Sequence, residues 1–182
     1  VKLSLTAGVA IVALAALAPS ASATTGPNRF ECRPFSVTPQ RTSATCGAKL
    51  VDGRAVPPPG APAVVRETIE AANRIDHRPY VWGGGHLSWK TKGYDCSGAV
   101  GYALHGADLL EQTMVSGELA HWGDAGVGRW ITVYANDHHV YMVVAGLRFD
   151  TRDDLAGTGP RWHTDMPRDP TSHFAARHPA GL

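Results

Sequence analysis

The feature that most constrains this chain is a change of hydrophobic period near residue 129. Upstream, residues 63–75 put Val65, Ile69, Ala72 and Ile75 on one face and Arg66, Glu67, Glu70 and Arg74 on the other, the 3.6-residue pattern of an amphipathic helix. Downstream, Trp130-Ile131-Thr132-Val133-Tyr134 is β-branched and aromatic, and residues 139–145 are apolar almost throughout. The first reads as a strand and the second as a central strand buried on both faces. Gly146 turns the chain into a third strand over residues 147–151. Helices followed by strands on tight turns predict an α+β domain, with helices packed on an antiparallel meander.

Between the two halves lie Gly83-Gly84-Gly85, a loop over residues 86–93, and the run Tyr94-Asp95-Cys96-Ser97-Gly98-Ala99-Val100-Gly101-Tyr102-Ala103-Leu104. Val100, Ala103 and Leu104 recur at helical spacing, Asp95 is a natural N-cap, and Gly106 a natural C-cap. Cys96 then falls in the first turn. The unpaired N–H groups and the dipole there favour an anion, so a thiolate is stabilised and an oxyanion can be held beside it. A cysteine nucleophile needs a base and a group to orient that base. His139 begins one strand and Asp150 lies near the end of the next, so a tight turn at Gly146 brings them together. Asp150 is expected on one ring nitrogen of His139 and Cys96 on the other, a Cys-His-Asp triad. His138 is the competing base, and strand alternation sends it to the opposite face.

The beginning of the chain reads as an export signal: Lys2, an almost wholly apolar run over residues 9–18, and Ala21-Ser22-Ala23 as a small-residue cleavage site. That run is short for a membrane span. Cleavage after residue 23 gives a protein outside the cell with no membrane contact. Residues 24–60 read as an extension ending in the stiff Pro57-Pro58-Pro59-Gly60 linker, and residues 61–182 as the catalytic domain. An oxidising compartment favours disulfides. Of the three cysteines, Cys32 and Cys46 lie close together in a Pro/Ser/Thr-rich stretch and are expected to pair, leaving Cys96 as the odd, reactive thiol. With 17 Lys+Arg against 16 Asp+Glu, and Lys2 lost on cleavage, no basic stripe remains for a nucleic acid. The sequence carries no signal for oligomeric state.

Three pieces of the chain, Tyr80-Val81-Trp82-Gly83-Gly84, Asp95-Cys96-Ser97-Gly98 and His139-Val140, together resemble the signature of the NlpC family of cell-wall cysteine peptidases. The likeness spans residues 61–151. It implies a compact papain-like fold, the nucleophile helix packed on the sheet, and hydrolysis in the stem peptide of peptidoglycan at the bond from D-glutamate, through its side-chain carboxyl, to a diamino acid. Cys96 would attack, His139 act as base and then acid, and Asp150 orient His139. The Cys96 N–H and the Tyr80 hydroxyl would hold the oxyanion, and Asp95 and Ser97 would bind substrate. No cofactor is implied. The chain departs from the family pattern in three places. The third catalytic residue is most often a histidine twelve positions after the base, where Thr151 stands here, with Asp150 at eleven. Tyr141 replaces a small residue. The loop before Cys96 is long and carries Trp89 and Lys90.

Nine histidines raise the question of a metal, but neither a His-Glu-x-x-His run nor a paired Cys-x-x-Cys occurs. No metal is expected. Five tryptophans raise a non-catalytic wall-binding module as the alternative, although Trp82 and Trp130 read as core. An amidase or acyltransferase on the same triad is a further alternative, since it differs only in the acceptor. The tail beyond residue 157 reads as surface loops pinned by Trp162 and Phe174.

Overall fold

In a computed structural model, which describes residues 47–152, 158–167 and 173–182 together with Val1, two helices lie against an antiparallel sheet. A short hairpin, β1 (Lys49–Val51) and β2 (Arg54–Val56), comes first. Helix α1 (Ala63–Ile75) follows and buries Val65, Thr68, Ile69, Ala72 and Ile75, the face that its apolar spacing predicts. Helix α2 (Cys96–His105) packs between α1 and the sheet, with Ala99, Val100, Ala103 and Leu104 buried in the core. Helix α3 (Ser116–Leu119) is a single turn.

The sheet is built around β4 (Ile131–Ala135), β5 (Val140–Val144) and β6 (Leu147–Asp150), consecutive and antiparallel. All five residues of β5 are buried, as expected of a strand with α2 on one face and neighbours on both edges. Ala145 (φ 47°) and Gly146 (φ 88°) connect β5 to β6. Two central residues with positive φ match the twist of the flanking strands and fix a two-residue turn. The sheet is wider than the sequence reading anticipated. Strand β3 (Asp124–Ala125) pairs with β8 (Ala175–His178), β8 pairs with β4, and β7 (Arg161–His163) pairs with β6, giving the order β3-β8-β4-β5-β6-β7. The tail beyond residue 157 therefore contributes two strands where loops were expected. Trp162 pins it, buried against Phe149, and its indole N–H donates to Asn73 Oδ1 at 2.9 Å.

Asn73, on α1, also accepts from the Ala55 N–H (3.1 Å) and donates to the Ala55 carbonyl (2.8 Å). One side-chain amide thus pairs with β2 as a neighbouring strand would, and holds Trp162 as well. Ala55 is buried, and the Ala48 N–H donates to the Ala145 carbonyl. Packed structure thus extends upstream of the Pro57–Pro59 run. Cys32, Cys46 and the apolar run over residues 9–18 lie outside the described residues. Among the described residues no helix is long and apolar enough to cross a membrane.

Trp82 was expected in the core and is not: it is 88% exposed, because it stands where the chain leaves the sheet-like Pro79–Tyr80 pairing for the glycine turn. Trp130 is only partly buried, packed at the margin of the core with Arg129 over its ring.

Candidate active site

The N-terminus of α2 is assembled by glycines. A Cβ on Gly98 would stand 1.9 Å from the Gly84 carbonyl oxygen, and one on Gly85 would stand 2.7 Å from the Gly98 Cα. Only bare backbone lets the Gly83–Gly85 turn lie this close to the first turn of the helix. Asp95 caps that helix, accepting from the Gly98 N–H at 2.8 Å. Its carboxylate also accepts from the Gly83 N–H (3.0 Å) and the Ser97 hydroxyl (3.2 Å), and lies 3.0 Å from His86 Nε2. Ser97 Oγ is 3.1 Å from the same ring nitrogen. Asp95 and Ser97 are both buried. The two residues singled out beside the cysteine therefore form a network with His86, which the sequence reading left in a loop. Thr113 holds that loop by donating to the His86 carbonyl at 3.0 Å.

Cys96, the first residue of α2, is partly exposed and free. His139 faces it from the sheet. The backbone N–H groups of His138 and His139 both donate to Asn136 Oδ1 (2.9 Å each), which fixes the entry to β5. His138 is exposed and His139 buried, so alternation selects His139. Its Nε2 donates to Asp150 Oδ1 at 2.8 Å. The carboxylate can only accept when ionised, so Nε2 carries the proton and Nδ1 is left for the thiol. Burial pulls the His139 pKa down. Hydrogen bonds to Asp150 and to the Cys96 sulfur, and the negative charge of both, outweigh it and hold the imidazole above its ordinary value.

Asp150 is almost wholly buried, yet its pKa lies below the usual carboxylate value. Burial opposes this, and the His139 hydrogen bond and charge, the Arg148 charge and the Thr151 N–H overcome it. Four donors meet the carboxylate: His139 Nε2, the Thr151 N–H (2.7 Å), the Arg152 N–H (3.2 Å) and Arg148 Nη1 (2.6 Å). Arg148 is fully buried and also donates from Nε to the Asp165 carbonyl at 2.9 Å. Neither Arg148 nor His86 was singled out from sequence. An arginine two residues before an acid on a buried strand was the available signal for the first.

The spacing of eleven between His139 and Asp150 follows from register. Val144 pairs with Leu147 and Val143 with Arg148, so Arg148 and Asp150 share the sheet face of Val143, Tyr141 and His139. Asp150 reaches His139 along the diagonal. Thr151, at twelve, belongs to the opposite face. Tyr141, the bulky departure, stacks on Tyr134 (ring centroids 5.0 Å apart) and meets Phe174 edge-on at 5.2 Å, and both Tyr141 and Phe174 flank the His139 ring. Burial first, then neighbouring Tyr134 and Asp150, push the Tyr141 phenol up.

Tyr80 pairs with Tyr94 next to the helix start. Burial, then the nearby Cys96 and Asp95, raise its phenol above the ordinary value, against the opposing charge of Arg152. The hydroxyl is thus kept as a proton donor in the neighbourhood of Cys96. Among the described residues no group of three or more His, Cys, Asp or Glu side chains gathers to hold a metal.

No family profile matches the chain, and no curated protein matches it. Among solved structures it is similar to NlpC1 from Trichomonas vaginalis, at 17% identity and a TM-score of 0.49, over 65% of this chain and 44% of that one. The chain thus spans less than half the length of that protein.

Proposed function

We propose that this chain is a cysteine peptidase in which Cys96, His139 and Asp150 act as nucleophile, acid–base and orienting group. The observation that carries this reading is a buried imidazole that donates to a buried carboxylate and has a partly exposed thiol at a helix start near enough to help raise its pKa. In that arrangement the thiol proton passes to His139 Nδ1, and the sulfur attacks a peptide carbonyl carbon. The oxyanion formed is met by the N–H groups of the first turn of α2, with the Tyr80 hydroxyl as a second donor. The imidazolium then gives its proton to the leaving amine as the C–N bond breaks, leaving a thioester. His139 next takes a proton from water as the hydroxide attacks the thioester. The C–S bond then breaks, the carboxylic product leaves, and the imidazolium returns its proton to the expelled thiolate.

The likeness of Tyr80–Gly84, Asp95–Gly98 and His139-Val140 to the NlpC signature supports a papain-like fold and a stem peptide of peptidoglycan as substrate, cut between the D-glutamate side chain and a diamino acid. It supports Asp95 and Ser97 as residues that help bind substrate beside the nucleophile, and a secreted, wall-associated protein. The test is digestion of purified muropeptides with wild type and Cys96→Ala, products identified by mass spectrometry. Loss of one defined cut in the variant, with unchanged circular dichroism, supports the reading; equal turnover by the two proteins ends it. An amine added as a competing acceptor separates hydrolysis from acyl transfer in the same experiment.

One observation favours a second reading. Trp82, 88% exposed, and Leu87, fully exposed, stand on the loop leading to Cys96, as in a module that binds wall without cutting it. Cosedimentation with intact sacculi that persists without any product would select it.

A further inference from the structure

A cavity of about 470 Å³, which Cys96 does not line, lies between the end of α1, the side of α2 and the loop that precedes Cys96. Four cationic side chains line it: Arg74 and Arg78 from the end of α1 and just beyond, and Lys90 and Lys92 from the loop. All four are exposed, and none makes an ion pair with an acid among the described residues. Over the whole chain bases and acids are nearly equal, 17 against 16, so the clustering is local. Four like charges around one concavity repel one another and favour an anion between them.

The cavity is also built. Trp89 stacks on His105 of α2 at 4.2 Å between ring centroids, with planes 9° apart. The Tyr94 hydroxyl donates to the Trp89 carbonyl at 2.6 Å, and Tyr94 meets Tyr102 edge-on at 5.4 Å. These contacts fix the loop that carries Lys90 and Lys92, while buried Tyr94 and Ile75 form the floor.

We propose that this cavity binds a phosphate-bearing ligand, as a monoester or as a diester. Charge count separates phosphate from carboxylate. A lone carboxylate brings one charge and two oxygens to four cations, whereas a phosphate monoester brings up to two charges and three oxygens, and a chain of diesters brings one charge per unit. Two guanidinium forks match phosphate oxygens in pairs, and two ammonium groups add mobile point charges. The cluster is a pocket and not a stripe, which suits one or two phosphate groups better than a nucleic acid backbone. The proposal does not depend on the chemistry of Cys96.

The test is a titration of the ¹⁵N-labelled protein, followed by amide shifts at constant ionic strength. The probes are inorganic phosphate, pyrophosphate and a glycerol-phosphate oligomer. Acetate serves as carboxylate control and a single-stranded oligonucleotide as nucleic-acid control. Saturable shifts centred on Lys92, Tyr94 and Tyr102, weakened about tenfold or more in Lys90→Ala/Lys92→Ala, support the proposal. Tighter binding of the oligomer than of inorganic phosphate marks a polymer as the source, and equal binding marks a free phosphate. Because Lys90 and Lys92 are exposed, the variant is expected to keep its melting temperature, and Arg78→Gln provides an independent loss. The idea is overturned by the absence of saturation up to about 10 mM phosphate probe, by equal affinity for acetate, by stronger binding of the oligonucleotide, or by shifts that the variants leave unchanged.

Discussion

Arg148 and Asp150 stand two residues apart on the same face of β6, and Nη1 of the first lies 2.6 Å from Oδ2 of the second with both side chains fully out of solvent. The other carboxylate oxygen is the one that receives His139. The orientation of the imidazole therefore depends on a residue that never faces the sulfur. Replacing Arg148 with Met removes one partner of a buried pair, a change that costs about 3–5 kcal/mol. Arg148→Met is expected to lower the urea midpoint strongly. Arg148→Lys, which keeps the charge but loses the fork, should retain more stability yet move the pH profile of muropeptide cleavage. An unmoved profile in the lysine variant would confine Arg148 to a structural role.

The strand register separates Asp150 from Thr151. Asp150→Ala should cut turnover by two or more orders of magnitude, on the scale of acid–base contributions of about 10²–10⁴, whereas Thr151→Ala should fall by less than about threefold, since the Thr151 contact to Asp150 is made by its backbone N–H. A larger loss in the threonine variant would assign the orienting role to Thr151.

The two shifts have opposite signs in pH. The folded His139 pKa lies above its reference of 6.5, so its contribution to stability is complete below that value and is lost as pH rises through the folded pKa. The folded Asp150 pKa lies below 3.8, so its contribution is complete above that value and is lost as pH falls through the folded pKa. Both are present together between the two references. Melting temperature measured from pH 3 to 9 for wild type and His139→Gln should show the widest gap in that window and a shrinking gap toward alkaline pH. A gap that grows above pH 8 would contradict the assignment.

Gly98 bears on both fold and chemistry. A methyl group there would meet the Gly84 carbonyl at 1.9 Å, backbone against backbone, so neither side can yield as a flexible side chain would. Gly98→Ala is expected to cost about 3 kcal/mol or more and to slow alkylation of Cys96 by iodoacetamide relative to wild type. Gly60→Ala, where no atom lies within 4 Å but φ is 79°, serves as the comparison and should leave alkylation untouched.

Where side-chain period carried the information, the sequence was readable. The spacing of Val65, Ile69, Ala72 and Ile75 marked α1, Asp95 marked the start of α2, and the apolar run of β5 marked the middle of the sheet. The positions of His139 and Asp150 relative to one another followed from a two-residue turn. The tail was opaque because Ala175–His178 holds no large apolar residue; its place in the sheet comes from backbone pairing with β4 and β3, which leaves no trace in residue type. Trp82 was misplaced because hydrophobicity alone says nothing of a turn that lifts a ring into solvent. His86 was hidden because its partner lies nine residues on, across glycines whose conformation only the folded backbone displays.

The position of β8 has a consequence for synthesis and truncation. This last strand occupies an inner slot, with β4 on one side and β3 on the other. A nascent chain still short of Ala175, or a product clipped in the tail, presents β4 with an open row of N–H and C=O groups flanked by apolar side chains. Such an edge recruits strands from other copies. Pairing of Ala175–His178 with β4 is thus what closes this part of the sheet against self-association, and forms that lack those residues should sediment as oligomers long before they lose their helices.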